Sequence, residues 1–280
     1  MIGVFAAEWL KLRKRTATFV IGVIWIALIL LLEYLVAYTF SKSAPRPRTG
    51  VASFNPKAII DALLPHNLVH YLVPGNITLG GALALILAAL LEGSEFGWST
   101  LKTLFTQRPT RLSVFAGKLL ALLLLLVLFV VLAFVTAATG CLIVAAGEHA
   151  PINWPPPGDI MTGAGAMLLV FAAWASVGVG LAVLVRSTAL AVGIGLVYML
   201  VVEGLINAFA ARNGVVKAIG NGLLGTNANA LVASFRTTVS GGRVTAVSSV
   251  DVGQAALTLS SYIVVFVLLA ALLLLRRDVT

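Results

Sequence analysis

Apolar residues in this chain gather into six long runs that are separated by shorter polar stretches. The runs cover about residues 18–40, 76–91, 115–146, 160–185, 189–207 and 254–275. A helix of about 20 predominantly apolar residues crosses the hydrocarbon core of a bilayer. The pattern therefore predicts an all-α, polytopic integral membrane protein with six transmembrane helices, forming a single transmembrane domain over residues 1–280.

Two of the polar stretches predict helices that do not cross the membrane. Residues 1–16 form a basic amphipathic start, and residues 92–114 carry charge, aromatic residues and small polar residues. In the second stretch Trp98, Leu101, Leu104 and Phe105 fall on one face of a helix, which Pro109 ends. A short amphipathic helix between two spans either docks a soluble partner or lies in the lipid interface. The spacing alone leaves both interpretations open.

The interval 208–253 has modest hydrophobicity and many glycine and asparagine residues. Its apolar positions suit helices that dip into the outer leaflet without crossing it, although an ordinary external loop fits as well. Non-helical backbone at membrane depth is tolerated only where protein buries it or water reaches it. Asn221, Asn227 and Asn229 would suit such a buried turn.

Composition and charge agree with a membrane location. The chain is 60 % apolar and 10 % charged, whereas soluble domains have about 25 % charged residues. Its net charge of +9 comes from short basic flanks between apolar runs. This pattern is typical of basic residues that lie at lipid headgroups, and not of a surface that binds nucleic acid. Six spans place both termini on one side, together with eleven of the 19 Lys and Arg residues. We therefore expect a cell-membrane protein with cytoplasmic termini and a cytoplasmic 92–114 loop.

Two acidic residues lie inside predicted spans. A charge costs about 2.5–3.5 kcal/mol at mid-bilayer, so such residues usually face a cavity or a partner. From the cytoplasmic ends, Glu33 and Glu203 lie roughly 21–26 Å up the helices, in the outer part of the membrane. They either extend to water at the outer surface or line the outward part of a substrate path.

Other candidate chemistry is weak, and we do not expect an enzyme. The chain has no phosphate-binding loop, and the Ser-x-x-Lys pattern at Ser99 has no companion motif. His66 and His70 have a metal-ligand spacing but no third ligand, so surface histidines are the better interpretation and no metal site is expected. The single cysteine, Cys141, lies in an apolar run and is interpreted as a packing residue.

The loop between the second and third runs resembles the first cytoplasmic loop of ATP-binding-cassette (ABC) type-2 permeases. The resemblance is carried by Glu95, Leu101-Lys102-Thr103-Leu104, Arg108-Pro109, Arg111 and Gly117-Lys118-Leu119. Residues 8–15 are similar to the amphipathic entry helix of that family, and residues 275–279 to its basic ending. Val185-Arg186-Ser187-Thr188-Ala189, followed by Glu203, also resembles the family. One departure is Gln107-Arg108-Pro109-Thr110-Arg111, where many members have Arg-Pro-Val-Ser-Arg.

The resemblance implies the permease subunit of an ATP-driven exporter with two permease chains, identical or paralogous, and two copies of a separate ATPase. ATP and Mg²⁺ would bind to the ATPase, and this chain would bind no cofactor. The implied ATPase-coupling residues are Glu95, Trp98, Leu101, Lys102, Leu104, Phe105, Arg108 and Arg111. The entry helix would contribute Glu8, Lys11, Arg13 and Arg15 beside them. Re-entrant helices between the last two spans would close the outward exit of the path.

Two other functions remain open at this level. The chain could be an ion-coupled transporter that uses Glu33 and Glu203 as proton relays, although it shows no clear inverted repeat. It could also be a non-transporting anchor or sensory partner that uses the same cytoplasmic helix. Spans rich in Leu, Ala and Val do not distinguish lipid, peptide, drug or ion as the substrate.

Overall fold

A computed structural model of the protein describes residues 2–43, 56–97, 111–210, 213–235 and 250–276, and the structural statements below refer to them. This part of the chain is almost entirely helical and contains no strand. The helices are α1 (Ile2–Lys14), α2 (Thr16–Leu28), α3 (Ala37–Ser43), α4 (Pro56–Ala62), α5 (Leu68–Gly97), α6 (Arg111–Glu148), α7 (Pro157–Val185), α8 (Thr188–Val197), α9 (Glu203–Ala210), α10 (Gly214–Asn221), α11 (Leu224–Ala233) and α12 (Val252–Arg276). Two π-helical segments, π1 (Ile29–Val36) and π2 (Tyr198–Val202), join α2 to α3 and α8 to α9.

Six helical segments are long and apolar enough to cross a membrane, which confirms the predicted all-α fold with six spans. They are Thr16–Ser43, Pro65–Ser94, Leu112–Glu148, Pro157–Val185, Thr188–Ala210 and Val252–Arg276. Successive spans run in opposite directions. We call the end of the bundle that holds α1 and the helix ends on either side of the 98–110 connection the base, and the opposite end the far end.

The second span begins earlier than the apolar pattern predicts. Its helix starts at Leu68 and continues through Pro74, whereas the apolar run starts only at Asn76. Proline inside a membrane helix is tolerated because neighbouring groups satisfy the backbone that it frees. Asn76 is also satisfied within the helix, since its side-chain amide donates to the Leu72 carbonyl at 2.9 Å. Residues 68–75 therefore belong to the span and do not form a loop.

The second and fourth spans form the centre of the bundle. Over their most apolar stretches 61 % and 67 % of residues are buried, against 11 % in the sixth span. Trp25 of the first span stacks on Phe129 of the third at 4.9 Å between ring centroids, and both rings pack edge-on against Phe171 of the fourth. Large apolar side chains such as Phe19 and Leu257 point away from the bundle, as expected of lipid-facing positions.

Glycine allows α5 and α7 to approach each other closely. A Cβ atom at Gly178 would lie 2.5 Å from the Leu85 backbone oxygen and 3.2 Å from the Ala88 Cβ. No rotamer change can relieve a contact with backbone, so the two helices would have to separate. Small residues at helix contacts are the usual means of close packing in membranes.

We expect Gly178→Ala to destabilise the protein by about 1–3 kcal/mol, the usual cost of overpacking a close contact. Gly165→Ala on the same helix is the matched control, because a Cβ there meets nothing within 4 Å. The thermal midpoint in mild detergent, followed by size-exclusion chromatography, should fall for Gly178→Ala only. Equal midpoints for the two variants would contradict the assigned packing.

Candidate functional site

Most of the predicted coupling residues lie outside the described residues. This holds for Trp98, Leu101, Lys102, Leu104, Phe105 and Arg108, and for the basic ending from residue 277 onward. Glu95 lies near the end of α5, and Arg111 begins α6. Their assignment to ATPase coupling stays a prediction, and the geometry that can be described is that of the helices on either side.

A buried ion pair joins the two helices that flank the 98–110 connection. Lys118 Nζ of α6 lies 3.3 Å from Glu92 Oε1 and 3.4 Å from Glu92 Oε2 of α5. The two side chains are only 4 % and 2 % exposed. Buried charges are tolerated when they are paired, and removing one partner leaves the other uncompensated. The pair therefore holds α5 and α6 together at the base.

The entry helix completes this base. α1 packs against α6, with Glu8 and Leu12 buried at 2 % and 3 % exposure. Glu8 also accepts a hydrogen bond from Lys11 at 2.7 Å. Because the buried carboxylate is paired within its own helix, α1 can bury this face without an isolated charge.

Arg15, directly after α1, connects the entry helix to the second span. Its guanidinium donates to the Leu90 carbonyl at 3.1 Å and to Ser94 Oγ at 2.5 Å. Arg13, in contrast, lies exposed on α1. The structure therefore brings Arg15 to the end of α5, buries Glu8 in its pair with Lys11 on α1, and leaves Arg13 on the surface.

The sequence alone marked Glu92 as the first residue of the 92–114 loop and Lys118 as part of the Gly117-Lys118-Leu119 motif, and it did not identify them as a pair. Glu92 directly follows one apolar run, Lys118 lies near the start of the next, and the two carry opposite charges. A charge buried at such a position requires a partner. Opposite charges on either side of the predicted loop are therefore a signal that could have identified the pair.

Glu33 lies in π1 against the second span. A Cβ atom at residue 75 would collide with Glu33 Oε1, so Gly75 leaves the space that this carboxylate occupies. The Tyr71 hydroxyl donates to the Glu33 backbone carbonyl at 2.8 Å, and among the described residues Glu33 Oε2 is buried without a hydrogen-bond partner. Tyr34 lies beside this carboxylate and shares a hydrogen bond of 3.3 Å with Cys141 of the third span. Glu33 is therefore half-buried, with its carboxylate against the second span.

Glu203 is also buried, at 4 % exposure, immediately after π2. Its Oε1 accepts a hydrogen bond of 3.0 Å from the Gly225 backbone N–H, at the start of α11. This contact gives Glu203 a structural partner. That Glu33 and Glu203 line a substrate path stays a prediction.

The two histidines with metal-ligand spacing have other partners. His66 Nε2 lies 3.5 Å from Asp61 Oδ1 at an exposed site, and His70 Nδ1 lies 2.8 Å from the Phe235 carbonyl. Among the described residues no group of three or more His, Cys, Asp or Glu side chains could hold a metal ion.

Comparison with known families finds one match that covers most of the chain. A family model described as ABC-2 family transporter protein matches residues 4–202. The matched region contains nearly all of α1, the first four spans and most of the fifth, and so includes the helix ends on either side of the 98–110 connection. No individually curated protein matches the chain.

We expect Lys118→Met to destabilise the protein by about 3–5 kcal/mol, because it removes the cation that pairs with the buried Glu92 carboxylate. Replacing both residues, as Glu92→Gln with Lys118→Met, should recover most of the loss. The measurement is the thermal midpoint of the single and double variants in detergent.

Lys42→Met is the matched control. Lys42 pairs with Glu148 at 2.6 Å, but its side chain is 51 % exposed, so the loss should be small. A double variant no more stable than Lys118→Met would show that the two charges do not compensate each other.

Proposed function

Because the chain belongs to the ABC-2 transporter family, we propose that it is the membrane-spanning permease subunit of an ATP-driven exporter. Family membership makes it a transport subunit in the membrane that works with an ABC ATPase, and hydrolysis would take place in that partner. Two permease chains and two ATPases would form the active unit, with ATP and Mg²⁺ bound by the ATPases. Export is the direction that the sequence resemblance implies.

One observation carries the coupling role: a buried ion pair joins the two helices that the 98–110 connection links. A partner that pushes on this connection acts on the ends of α5 and α6. Since Glu92 and Lys118 hold those ends together, the two helices would move as one body. α5 packs against α7 at the centre of the bundle, so that movement would reach the residues between the spans.

The entry helix adds a second connection to the same body. Arg15 bonds the end of α5, and α1 lies on α6. ATP-driven closure of the partner pair would then shift the base and, through it, the packing of the two permease chains. Energetically, the ATP-bound partner must bind one packing state more tightly than the other.

A second candidate is an ion-coupled transporter, which Glu33 Oε2 favours because it is buried and has no hydrogen-bond partner in the part of the chain that the structure describes. Glu203 supports this interpretation less, because its carboxylate is engaged at a helix start. Transport into sealed vesicles separates the two candidates. ATP-dependent transport that survives a proton uncoupler supports the exporter, and transport that the uncoupler abolishes without any need for ATP supports ion coupling.

Reversing charge in the predicted coupling helix should uncouple transport while leaving insertion intact. In Glu95→Lys or Arg108→Glu, the altered charge would repel its complement on the ATPase. Purification in mild detergent should then recover the permease without a protein that carries a phosphate-binding loop. The wild-type chain should recover both. Full transport with full recovery of the partner in both variants would refute the docking assignment.

Arg15→Gln should reduce the amount transported per ATP hydrolysed, because it loosens α1 from the second span. Lys14→Gln is the matched control, since Lys14 is exposed at the end of the same helix. Parallel assays of ATPase rate and transport in reconstituted vesicles measure the ratio. If the two variants have the same ratio of transport to ATP hydrolysis, Arg15 does not take part in coupling.

A further inference from the structure

The two helices between the fifth and sixth spans form a hairpin that enters and leaves at the far end. α9 ends at Ala210, at the far end, and α10 packs back against it. α10 therefore runs inward, to a turn at residues 221–223. α11 begins beside Glu203 and ends near Phe235, whose carbonyl meets His70 at the far-end start of α5. Ten residues of helix span about 15 Å, half of the hydrocarbon core.

Of the two helices of this hairpin, α11 is the one that is buried in the bundle. α11 packs against α12, α5 and α7, and its buried residues include Leu224, Asn227 and Ala228. α10 is mostly exposed, with Val215 and Ile219 at 70 % and 55 % exposure. α11 is thus the helix that occupies the space among the spans at the far end.

Side chains satisfy the backbone of the deep turn. Asn227 Nδ2 donates to the Asn221 carbonyl at 2.8 Å and to the Leu223 carbonyl at 2.7 Å. The Tyr262 hydroxyl of the sixth span donates to the Gly222 carbonyl at 3.1 Å. Non-helical backbone at membrane depth requires such partners. The turn is therefore attached to the sixth span.

Glu203 attaches the start of α11 to the fifth span. The residue before α11 is Leu223, whose side chain supplies no cap, so the first N–H groups of the helix need another acceptor. Glu203 Oε1 takes that place at 3.0 Å from Gly225 N. A negative charge is also favoured at a helix start. The Glu203 carboxylate occupies the space that a Cβ at residue 225 would fill, so Gly225 makes this approach possible.

The segment before Glu203 provides a way to break this contact. π2 (Tyr198–Val202) is π-helical, and such segments carry one residue more than the α-helical ladder requires. Conversion of π2 to α-helix would rotate the following residues by about 100°, the rotation of one residue. That rotation would carry the Glu203 carboxylate away from Gly225.

We propose that Glu203 is the positioning residue of an outer gate. With its carboxylate on Gly225 N–H, a pair that we call the gate contact, it holds α11 among the spans and closes the far end. Outward opening of the path releases the gate contact. This inference rests on the proposed export function, because an exporter has to open its path at the far end.

Cysteine accessibility tests the gate contact directly. Ala228→Cys places a thiol, called the reporter thiol below, on the buried face of α11, where Ala228 is 2 % exposed. The native Cys141, buried at 0 % in the third span, stays in the chain as an internal control. The Ala228→Cys chain is reconstituted in vesicles without ATPase and treated with a membrane-impermeant maleimide. Peptide mass mapping then reports the labelling of each thiol separately.

Adding Glu203→Ala to the Ala228→Cys chain should raise the labelling rate of the reporter thiol by about tenfold, consistent with loss of one charge-assisted hydrogen bond. Glu203→Gln should raise it less, because the amide oxygen can still accept from Gly225. Cys141 should stay unlabelled in every variant. Glu148→Ala, at the far-end terminus of α6, is the matched control and should leave the reporter thiol protected.

Two outcomes of this labelling would overturn the proposal. One is an unchanged labelling rate of the reporter thiol in Glu203→Ala, which would mean that the gate contact does not hold α11 in place. The other is an equal gain at the reporter thiol and at Cys141, which would mean that the substitution loosens the whole bundle.

Repeating the labelling in the complex with its ATPase separates this inference from the proposed function. ATP with vanadate should expose the reporter thiol when Glu203 is intact, while Glu203→Ala should be labelled with or without nucleotide. If nucleotide has no effect but Glu203→Ala still exposes the reporter thiol, the proposed coupling to the ATPase is wrong and the gate contact is supported. If nucleotide exposes the reporter thiol but Glu203→Ala does not, the role of the gate contact is wrong and the proposed coupling to the ATPase is supported.

Discussion

Polar contacts inside the apolar bundle join its helices at both ends, and the rest of this structure depends on these contacts. At the base, Glu92 and Lys118 are both almost completely buried and satisfy each other. At the far end, Glu203 satisfies the amide of Gly225. Each of these contacts joins segments that lie well apart in the sequence. The polar contacts therefore determine which helices move together.

The apolar centre connects the two ends. α5 and α7 approach closely because Gly178 lets the Leu85 backbone come near. α5 begins near the C-terminal end of α11 and ends at the ion pair with α6. In the proposed exporter, α5 would thus connect the base with the far end, where α11 lies. A displacement at one end would then have a direct mechanical route to the other.

Structure can be predicted from sequence most reliably where one property decides the outcome. Six apolar runs predicted six spans, because burial in lipid depends on the length and hydrophobicity of each run alone. Prediction was wrong at Pro74 and Gly75, where propensity indicates a loop but the helix of the second span continues through both residues. Local signals do not show whether nearby groups will satisfy a freed backbone. The same limitation applies to Glu203, whose acceptor role depends on a residue 22 positions later.

The sequence by itself determined the membrane class, the all-α fold, the number of spans and the resemblance to ABC type-2 permeases. These features follow from composition, from the period of hydrophobicity and from short motifs, all of which are local. Only the tertiary structure decided that Lys118 pairs with Glu92, that Arg15 bonds the end of α5, and that Glu203 caps α11. Such pairings depend on which helices become neighbours, and side-chain packing between distant segments selects those neighbours.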